Sequence, residues 1–358
     1  MIIDFIKVFL PALAAFSIGL IITPLLTAQL YKYRAWKKKP GKTTYDGREA
    51  IEFNKLHKEK EVNTPRMGGV VIWLSALITI VGFWLLARFT AYPAMAKLDF
   101  LSRDQTWIPL AALLIGGIVG FLDDLLEVTK SNGGISLRYR LLLVGILGLV
   151  CGWWFYFKLE VTAIGLPNLL TLNEGWEIGW LIVPVFALLA MIIYSGGIID
   201  GLDGLAGGIF ASIYTAYSVI AFNLGQMNLA AFCAMIAGAI LAFLWFNIPP
   251  ARFYMSETGS MALTLALAVV VFTADSLGGG FGILILPIVA LPLFITSGSV
   301  ILQLLYRKVR GRKLFIIAPL HHHFEAIGWP SYKVVMRYWV ISAVTALFGV
   351  ILAVAGSL

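Results

Sequence analysis

The chain contains few cysteines and few charged residues. Its only two cysteines, Cys151 and Cys233, both lie inside apolar runs. A disulfide framework is therefore excluded, and the two thiols are interpreted as small buried side chains. Charged residues make up 13% of the 358 residues and hydrophobic residues 60%, and the mean hydropathy is +0.89. Water-soluble globular proteins do not have this composition, so we expect a polytopic membrane protein.

Ten apolar segments are long enough to cross a hydrocarbon core about 30 Å thick. The first begins without the basic region and cleavage site of a secretory signal, so we interpret it as a transmembrane helix. The predicted fold class is an all-α membrane protein, with one integral membrane domain over residues 1–358. The predicted spans cover residues 8–30, 67–89, 106–122, 138–157, 178–195, 205–224, 228–246, 260–275, 281–306 and 336–357.

The basic residues predict how these helices are oriented. If ten helices alternate in direction, the connections 31–66, 123–140, 195–204, 247–259 and 307–335 share one side of the membrane. These connections and Arg337 contain 22 of the 27 Lys and Arg residues. Loops rich in Lys and Arg stay in the cytoplasm, so we expect five cytoplasmic connections and both termini on the outer side.

The only long hydrophilic insert, residues 31–66, contains eleven Lys and Arg. Two interpretations remain open: the insert contacts anionic lipid headgroups, or some of its cations also attract a phosphorylated ligand. No second soluble domain is present in the sequence, and no nucleic-acid partner is expected. Any chemistry should therefore occur at the membrane surface.

Five polar stretches are predicted on the cytoplasmic side. Their carboxylates would repel one another strongly without a counter-ion. Mg²⁺ prefers oxygen ligands and is commonly held by one or two carboxylates together with substrate phosphates, so a magnesium site is the economical explanation. For the adjacent pair of acids, a solvated helix end is the alternative. The stretches are 63–69 (NTPRMGG), 120–128 (GFLDDLLEV), 195–208 (SGGIIDGLDGLAGG), 245–260 (WFNIPPARFYMSETGS) and 318–330 (APLHHHFEAIGWP), and their acids include Asp123, Asp124, Asp200, Asp203 and Glu257.

Three further features accompany these acids. Asp200 and Asp203 lie among glycines, which allow a tight turn near a ligand but also serve as packing residues in membrane helices. His321, His322 and His323 are consecutive; a helical zinc site would have histidines four residues apart, so contact with phosphate or a solvated loop is favoured over zinc. Tyr254 could stack on a planar base or simply anchor at the membrane interface.

Together these motifs resemble the polyprenyl-phosphate N-acetylhexosamine-1-phosphate transferases, and among them the phospho-N-acetylmuramoyl-pentapeptide transferase family. The resemblance extends from TPRMGG through DD, DGLDGLAGG and FN to APLHHHFE, which is almost the whole chain. It implies an enzyme of the bacterial plasma membrane. The implied reaction is Mg²⁺-dependent transfer from UDP-N-acetylmuramoyl-pentapeptide to undecaprenyl phosphate, giving lipid I and UMP. The resemblance also suggests a homodimer, which no feature of the sequence supports independently.

The resemblance assigns candidate roles to matching residues. Asp123 would activate or orient the lipid phosphate, Asp124 would be its companion, and the histidine triplet would belong to the catalytic group. Metal ligands would come from Asp123, Asp200 and Glu257. Substrate contacts would come from Lys60, with Lys58 as the alternative to it, and from Gly201, Leu202, Asp203, Asn247, Tyr254 and Gln303.

Two positions depart from the pattern of the family. Gly197 lies where an Asn is usual, and Glu257 lies where an Asp is usual. Glu has the same ligand chemistry with one more methylene, so a small shift of backbone or metal would accommodate it. Reduced activity, altered metal preference and a divergent lineage stay open as interpretations.

Three other functions share some of these features. A related N-acetylglucosamine-1-phosphate transferase would have the acids but a different histidine arrangement. A membrane prenyltransferase also uses Asp-rich magnesium motifs. A transporter would place its acids near the bilayer midplane in broken helices, whereas here they cluster at one predicted surface.

Overall fold

The computed structural model describes residues 2–38, 41, 54, 62–90, 96–102, 105–129, 134–165, 176–276 and 282–356. Helices dominate these residues, and a single two-stranded hairpin is the only sheet found among them. The helices are α1 (Ile2–Lys32), α2 (Val70–Phe89), α3 (Trp107–Thr129), α4 (Leu137–Lys158), α5 (Ile182–Gly196), α6 (Leu205–Asn223), α7 (Met227–Asn247), α8 (Ser256–Ser276), α9 (Gly282–Val289), α10 (Leu291–Arg310), α11 (Leu320–Ala326) and α12 (Ser331–Gly356).

The ten predicted spans are confirmed as apolar helices, with one difference. Within the described residues, nine helices are long and apolar enough to cross a membrane. The predicted span at 281–306 is instead a pair, α9 and α10, bent by 73°. Pro287 lies within α9, and Pro292 lies at the start of α10, where its missing N–H is tolerated. The bend therefore falls between two prolines.

Helix α8 is the central helix of the bundle. Nearly all of its side chains are buried, whereas α1, α4 and α12 keep large apolar side chains on the surface, as lipid-facing helices do. Glycine lets α3 pack very close to α8: a β-carbon added to Gly116 would lie 2.8 Å from the Met261 carbonyl oxygen. At Gly120 it would lie 2.1 Å from the Glu257 carbonyl oxygen. Small residues at such contacts are typical of membrane helices.

The C-terminal end of α8 is fastened by a buried carboxylate. Asp275 accepts hydrogen bonds from the backbone N–H groups of Gly165 (2.9 Å) and Ile283 (3.2 Å). Gly165 directly follows strand β1 (Ala163–Ile164), which pairs antiparallel with β2 (Trp176–Glu177). Asp275 thus joins the hairpin and the start of α9 to the central helix.

Candidate active site

The five polar stretches meet at one end of the bundle. Helices α3, α5 and α7 end there, and α4, α6 and α8 begin there. The stretch 63–69 is joined to 245–260 by backbone hydrogen bonds from Tyr254 to Pro65 (2.8 Å) and from Gly68 to Tyr254 (2.9 Å). The other three stretches are joined to these through side chains. Residues far apart in sequence therefore form one polar cluster.

Arg140 lies between the two acids at the centre of this cluster. Its guanidinium Nη2 is 2.8 Å from Asp123 Oδ2, and its Nη1 pairs with Glu257 Oε1. The outer oxygens of the two acids have other donors: Tyr194 Oη donates to Glu257 Oε2 over 3.0 Å, and the Ile135 backbone N–H donates to Asp123 Oδ1. One planar cation thus bridges the end of α3 and the start of α8.

Asp124 has a different environment from its neighbour Asp123, as their adjacency on a helix predicts. Its carboxylate is fully buried, and Oδ2 accepts hydrogen bonds from Thr258 N (2.9 Å) and Thr258 Oγ1 (2.6 Å). The second oxygen, Oδ1, is 3.8 Å from Arg66 Nη1. Asp124 therefore holds α3 to the first turn of α8, with its charge offset by Arg66.

A second ion-pair group surrounds Glu127, one turn beyond Asp123. Glu127 pairs with Arg66, and its Oε1 is 3.1 Å from Lys37 Nζ. The Arg66 backbone N–H also donates to the Ala35 carbonyl over 2.7 Å. These contacts fix the segment after α1 and the segment before α2 against the end of α3, so the cations border the carboxylates.

Asp200 and Asp203 are turn-forming residues that hold the neighbouring loop. Asp200 Oδ2 accepts from the Ser256 N–H over 2.8 Å, one residue before Glu257. Asp203 Oδ2 accepts from the Ala251 N–H over 3.2 Å. Buried Asn247 completes the junction, because it accepts from Gly204 N (3.0 Å) and donates to Phe253 O (2.8 Å). The positive φ of Gly204, 79°, shows why a glycine is required in this turn.

The three histidines do not face the same way. His321 and His322 are buried on α11, and a β-carbon added to Gly201 would lie 2.5 Å from His321 Nε2 and 2.8 Å from His322 Nε2. His322 Nδ1 is 2.8 Å from Glu325 Oε2, which fixes its ring. His323 accepts from the Ile316 N–H over 3.3 Å. The structure thus places two histidines against the turn at 200–204 and the third against the preceding loop.

The predicted substrate contacts are spread over the edge of this cluster. Gly201 and Leu202 belong to the turn that contacts the histidines, and Tyr254 is half-buried in the loop before α8. The side-chain amide of Gln303 on α10 forms hydrogen bonds with the segment that follows this helix. Nε2 donates to Phe315 O (3.0 Å), and Oε1 accepts from Leu314 N and Phe315 N (both 2.9 Å). Lys58 and Lys60 lie outside the described residues.

The donor set at the cluster fits a hard divalent cation. Among the described residues, no three His, Cys, Asp or Glu side chains enclose a metal position by themselves. Mg²⁺ does not need such a cage, because it retains waters and takes oxygens from substrate phosphates. Asp123 and Glu257 each direct one oxygen at the same guanidinium. The two acids therefore face one position between the end of α3 and the start of α8, and Asp200 is held beside Glu257 through Ser256.

The residues that pair with Asp123, Asp124 and Glu257 were not among those predicted from the sequence; they are Arg66, Arg140, Tyr194 and Thr258. Glu127, which pairs with Arg66, was not predicted either. Arg140 had a detectable signal, because residues 138–140 belong both to the connection 123–140 and to the predicted span 138–157, and charged residues inside a span face partners or cavities. Arg66 lies within the TPRMGG motif. Tyr194 and Thr258 carry no comparable signal, since their side chains are common in apolar helices.

Comparison with known proteins gives the family. A sequence profile of Glycosyl transferase family 4 matches residues 106–275. The phospho-N-acetylmuramoyl-pentapeptide-transferase of Geobacillus thermodenitrificans is 33% identical over 85% of this chain and 87% of the relative. The chain belongs to the phospho-N-acetylmuramoyl-pentapeptide transferase family. Members with the same name from another Geobacillus strain (32% identity, 96% of this chain and 97% of the relative) and from Levilactobacillus brevis (31%, 93% and 95%) match nearly end to end.

Glu257 and Gly197, the two residues expected from the sequence to depart from the family pattern, both border the first turns of α8. Glu257 is the acid bridged by Arg140, and Gly197 lies in the turn that ends α5. A β-carbon at Gly197 would lie 3.4 Å from Ser260 Cβ on α8, which is ordinary contact. Position 197 therefore faces the same first turns of α8 that carry Glu257 and Thr258.

Proposed function

We propose that this protein transfers phospho-N-acetylmuramoyl-pentapeptide from UDP-N-acetylmuramoyl-pentapeptide to undecaprenyl phosphate, releasing UMP and forming lipid I. The main support is the near end-to-end similarity to relatives of that name. In addition, the acidic motifs and the histidine motif of this chain lie in one cluster. The reaction would take place at the cytoplasmic face of a bacterial plasma membrane, with both chain termini on the outer side. The positive-inside distribution of Lys and Arg supports this orientation.

The reaction joins two anionic groups. An oxygen of the lipid phosphate attacks the β-phosphorus of the nucleotide sugar, and the bond from that phosphorus to the oxygen bridging toward UMP breaks. A phosphate monoester is largely ionised at pH 7, so little proton removal is needed. What the protein has to supply is positioning and compensation of charge. Mg²⁺, which Asp123, Glu257 and Asp200 would hold, supplies charge neutralisation at phosphate oxygens.

The residues of this chain have distinct tasks in that reaction. Asp123 orients the incoming phosphate from the end of α3. His321 and His322, packed against Gly201, present ring nitrogens toward the turn where the nucleotide diphosphate would lie. The half-buried Tyr254 is the aromatic residue for uracil stacking. Arg66 and Arg140 bring positive charge to a site that must hold several phosphate oxygens.

Product analysis with two donors tests this function. Purified protein with undecaprenyl phosphate and Mg²⁺ is expected to release UMP from UDP-N-acetylmuramoyl-pentapeptide and to release little from UDP-N-acetylglucosamine. The reverse preference would favour the related N-acetylglucosamine-1-phosphate transferases. Release of diphosphate would indicate a prenyltransferase, and no nucleotide cleavage at all would leave a transporter as the better description.

Removing the charge of Asp123 tests the assigned site. Asp123→Asn keeps the shape of the side chain but loses the charge, so we expect transfer of radiolabelled sugar into lipid extract to fall at least a hundredfold. The matched control is Glu160→Gln, an exposed acid after α4, which should retain wild-type turnover. Turnover of Asp123→Asn equal to that of Glu160→Gln would remove Asp123 from the mechanism.

A further inference from the structure

We propose that Arg140 is a built-in counter-cation that exchanges with the metal. In the metal-free protein it holds Asp123 and Glu257 together, and binding of a divalent cation displaces its guanidinium from between them. The inference rests on the proposed function for the presence of a divalent cation at this site. It adds that the metal position already has a cationic occupant belonging to the protein.

The geometry of the two acids supports the exchange. Each has an outer oxygen fixed by a donor that is not Arg140: Tyr194 Oη for Glu257 and Ile135 N for Asp123. Each has an inner oxygen that meets the guanidinium. A metal ion using the inner oxygens needs the volume that the guanidinium fills, and two cations would repel each other there. Binding of the metal therefore requires Arg140 to leave.

The burial of the two acids explains why a positive charge is needed between them. The side chain of Asp123 is only 1% exposed, and that of Glu257 is 21% exposed. Two facing carboxylates with so little access to water are strongly destabilising unless a positive charge lies between them. Arg140 lies in the first turn of α4, and its side chain is 18% exposed, so the guanidinium has a path to solvent when it is displaced. The freed guanidinium is suited to bind phosphate oxygens in a bidentate manner.

Two consequences distinguish this exchange from a permanent structural ion pair. The metal alone should bind weakly, because two ion pairs must break before it enters. Phosphate-bearing substrate should strengthen metal binding, because it gives the displaced guanidinium a new anionic partner. Metal and substrate would thus bind cooperatively through one side chain.

The first test measures Mn²⁺ binding to the purified full-length protein by electron paramagnetic resonance, without substrate. Arg140→Gln is expected to bind Mn²⁺ at least tenfold more tightly than wild type. Arg138→Gln is the matched control, because Arg138 is an exposed arginine in the same helical turn; it should change the dissociation constant less than twofold. An unchanged or weaker affinity in Arg140→Gln overturns the proposal.

The second test uses the wild-type protein and so does not depend on the folding of a variant. Phenylglyoxal modifies guanidinium groups that lack an anionic partner, and mass spectrometry reports each arginine separately. Addition of Mn²⁺ should raise the modification of Arg140 at least threefold and leave that of Arg138 unchanged. No rise at Arg140 overturns the exchange. If UMP release is absent while both metal results hold, the proposed function fails and the exchange stands.

Discussion

At the scale of single residues, the site depends on donors that compensate buried carboxylates. Asp124 shows this most clearly, because it is fully buried and receives two hydrogen bonds from one residue, Thr258. The backbone bond anchors the first turn of α8, and the hydroxyl bond is the shorter of the two. Loss of either leaves a buried charge with less compensation.

Thr258→Val removes the hydroxyl donor and preserves the shape of the side chain. We expect it to lower the free energy of unfolding by about 1–3 kcal/mol, the usual cost of an unsatisfied buried polar group. The measurement is thermal or denaturant unfolding in detergent, with Thr264→Val as control, since buried Thr264 donates only to carbonyls of its own helix. Equal losses in the two variants would show that the bond to Asp124 contributes nothing.

The acids could be predicted from the sequence, but their partners could not. A carboxylate at the end of an apolar run is costly to bury, so its presence there by itself indicates a role. Arg140 and Glu257 are 117 residues apart, and Asp124 and Thr258 are 134 apart. Pairing over such separations depends on how the helices pack, and no local pattern reports it. The different directions in which the three histidine side chains point likewise depend on the orientation of α11.

At the scale of elements, the close approach of α3 and α8 places the acids. Gly120 lies on the same face of α3 as Gly116, and its added β-carbon would lie 2.1 Å from the Glu257 carbonyl oxygen. The obstructing atom belongs to the backbone, so the helices themselves would have to separate. Asp123 and Asp124 would then move away from Arg140 and Thr258.

Gly120→Ala should therefore impair both stability and turnover. We expect a loss of about 1–3 kcal/mol in unfolding free energy, as for overpacked cores, and at least a tenfold loss of UMP release. Gly82→Ala in α2 is the control, because a β-carbon added there meets nothing within 4 Å beyond its chain neighbours and the backbone of its own helix. That variant should be as stable as wild type or slightly more stable. Wild-type turnover in Gly120→Ala would show that the helices can separate without consequence for the site.

The lengths of the apolar segments predicted the positions of the membrane helices but not the break between α9 and α10. Length is directly tied to bilayer thickness, which is why ten spans could be placed from sequence. Pro287 and Pro292 were visible in the predicted span, but a proline in a membrane helix is compatible with a continuous path when neighbouring groups satisfy the freed carbonyls. Deciding between a kink and a 73° bend needs the packing around Ala290.

At the scale of the whole molecule, the orientation in the membrane can be tested by labelling. The proposed topology puts exposed Arg312, after α10, in the cytoplasm and exposed Glu177, in β2, on the outer side. In intact cells, a membrane-impermeant maleimide should label Glu177→Cys and not Arg312→Cys, and in inverted vesicles the preference should reverse. Cys233 is fully buried, and wild-type protein gives the background from both native thiols. Labelling of Arg312→Cys in intact cells would contradict the proposed orientation.

Helix α8 is one uninterrupted rod of 21 residues, about 30 Å long at 1.5 Å per residue. Glu257 sits at one tip, and Asp275, one residue from the other tip, is tied to Gly165 and Ile283. A molecule that separated the hairpin from Asp275 would remove a hydrogen bond at the end of α8 opposite Glu257. In the proposed topology this contact lies on the outer side of the membrane, about 30 Å along the helix from Glu257, so a molecule acting there would not have to enter the cell.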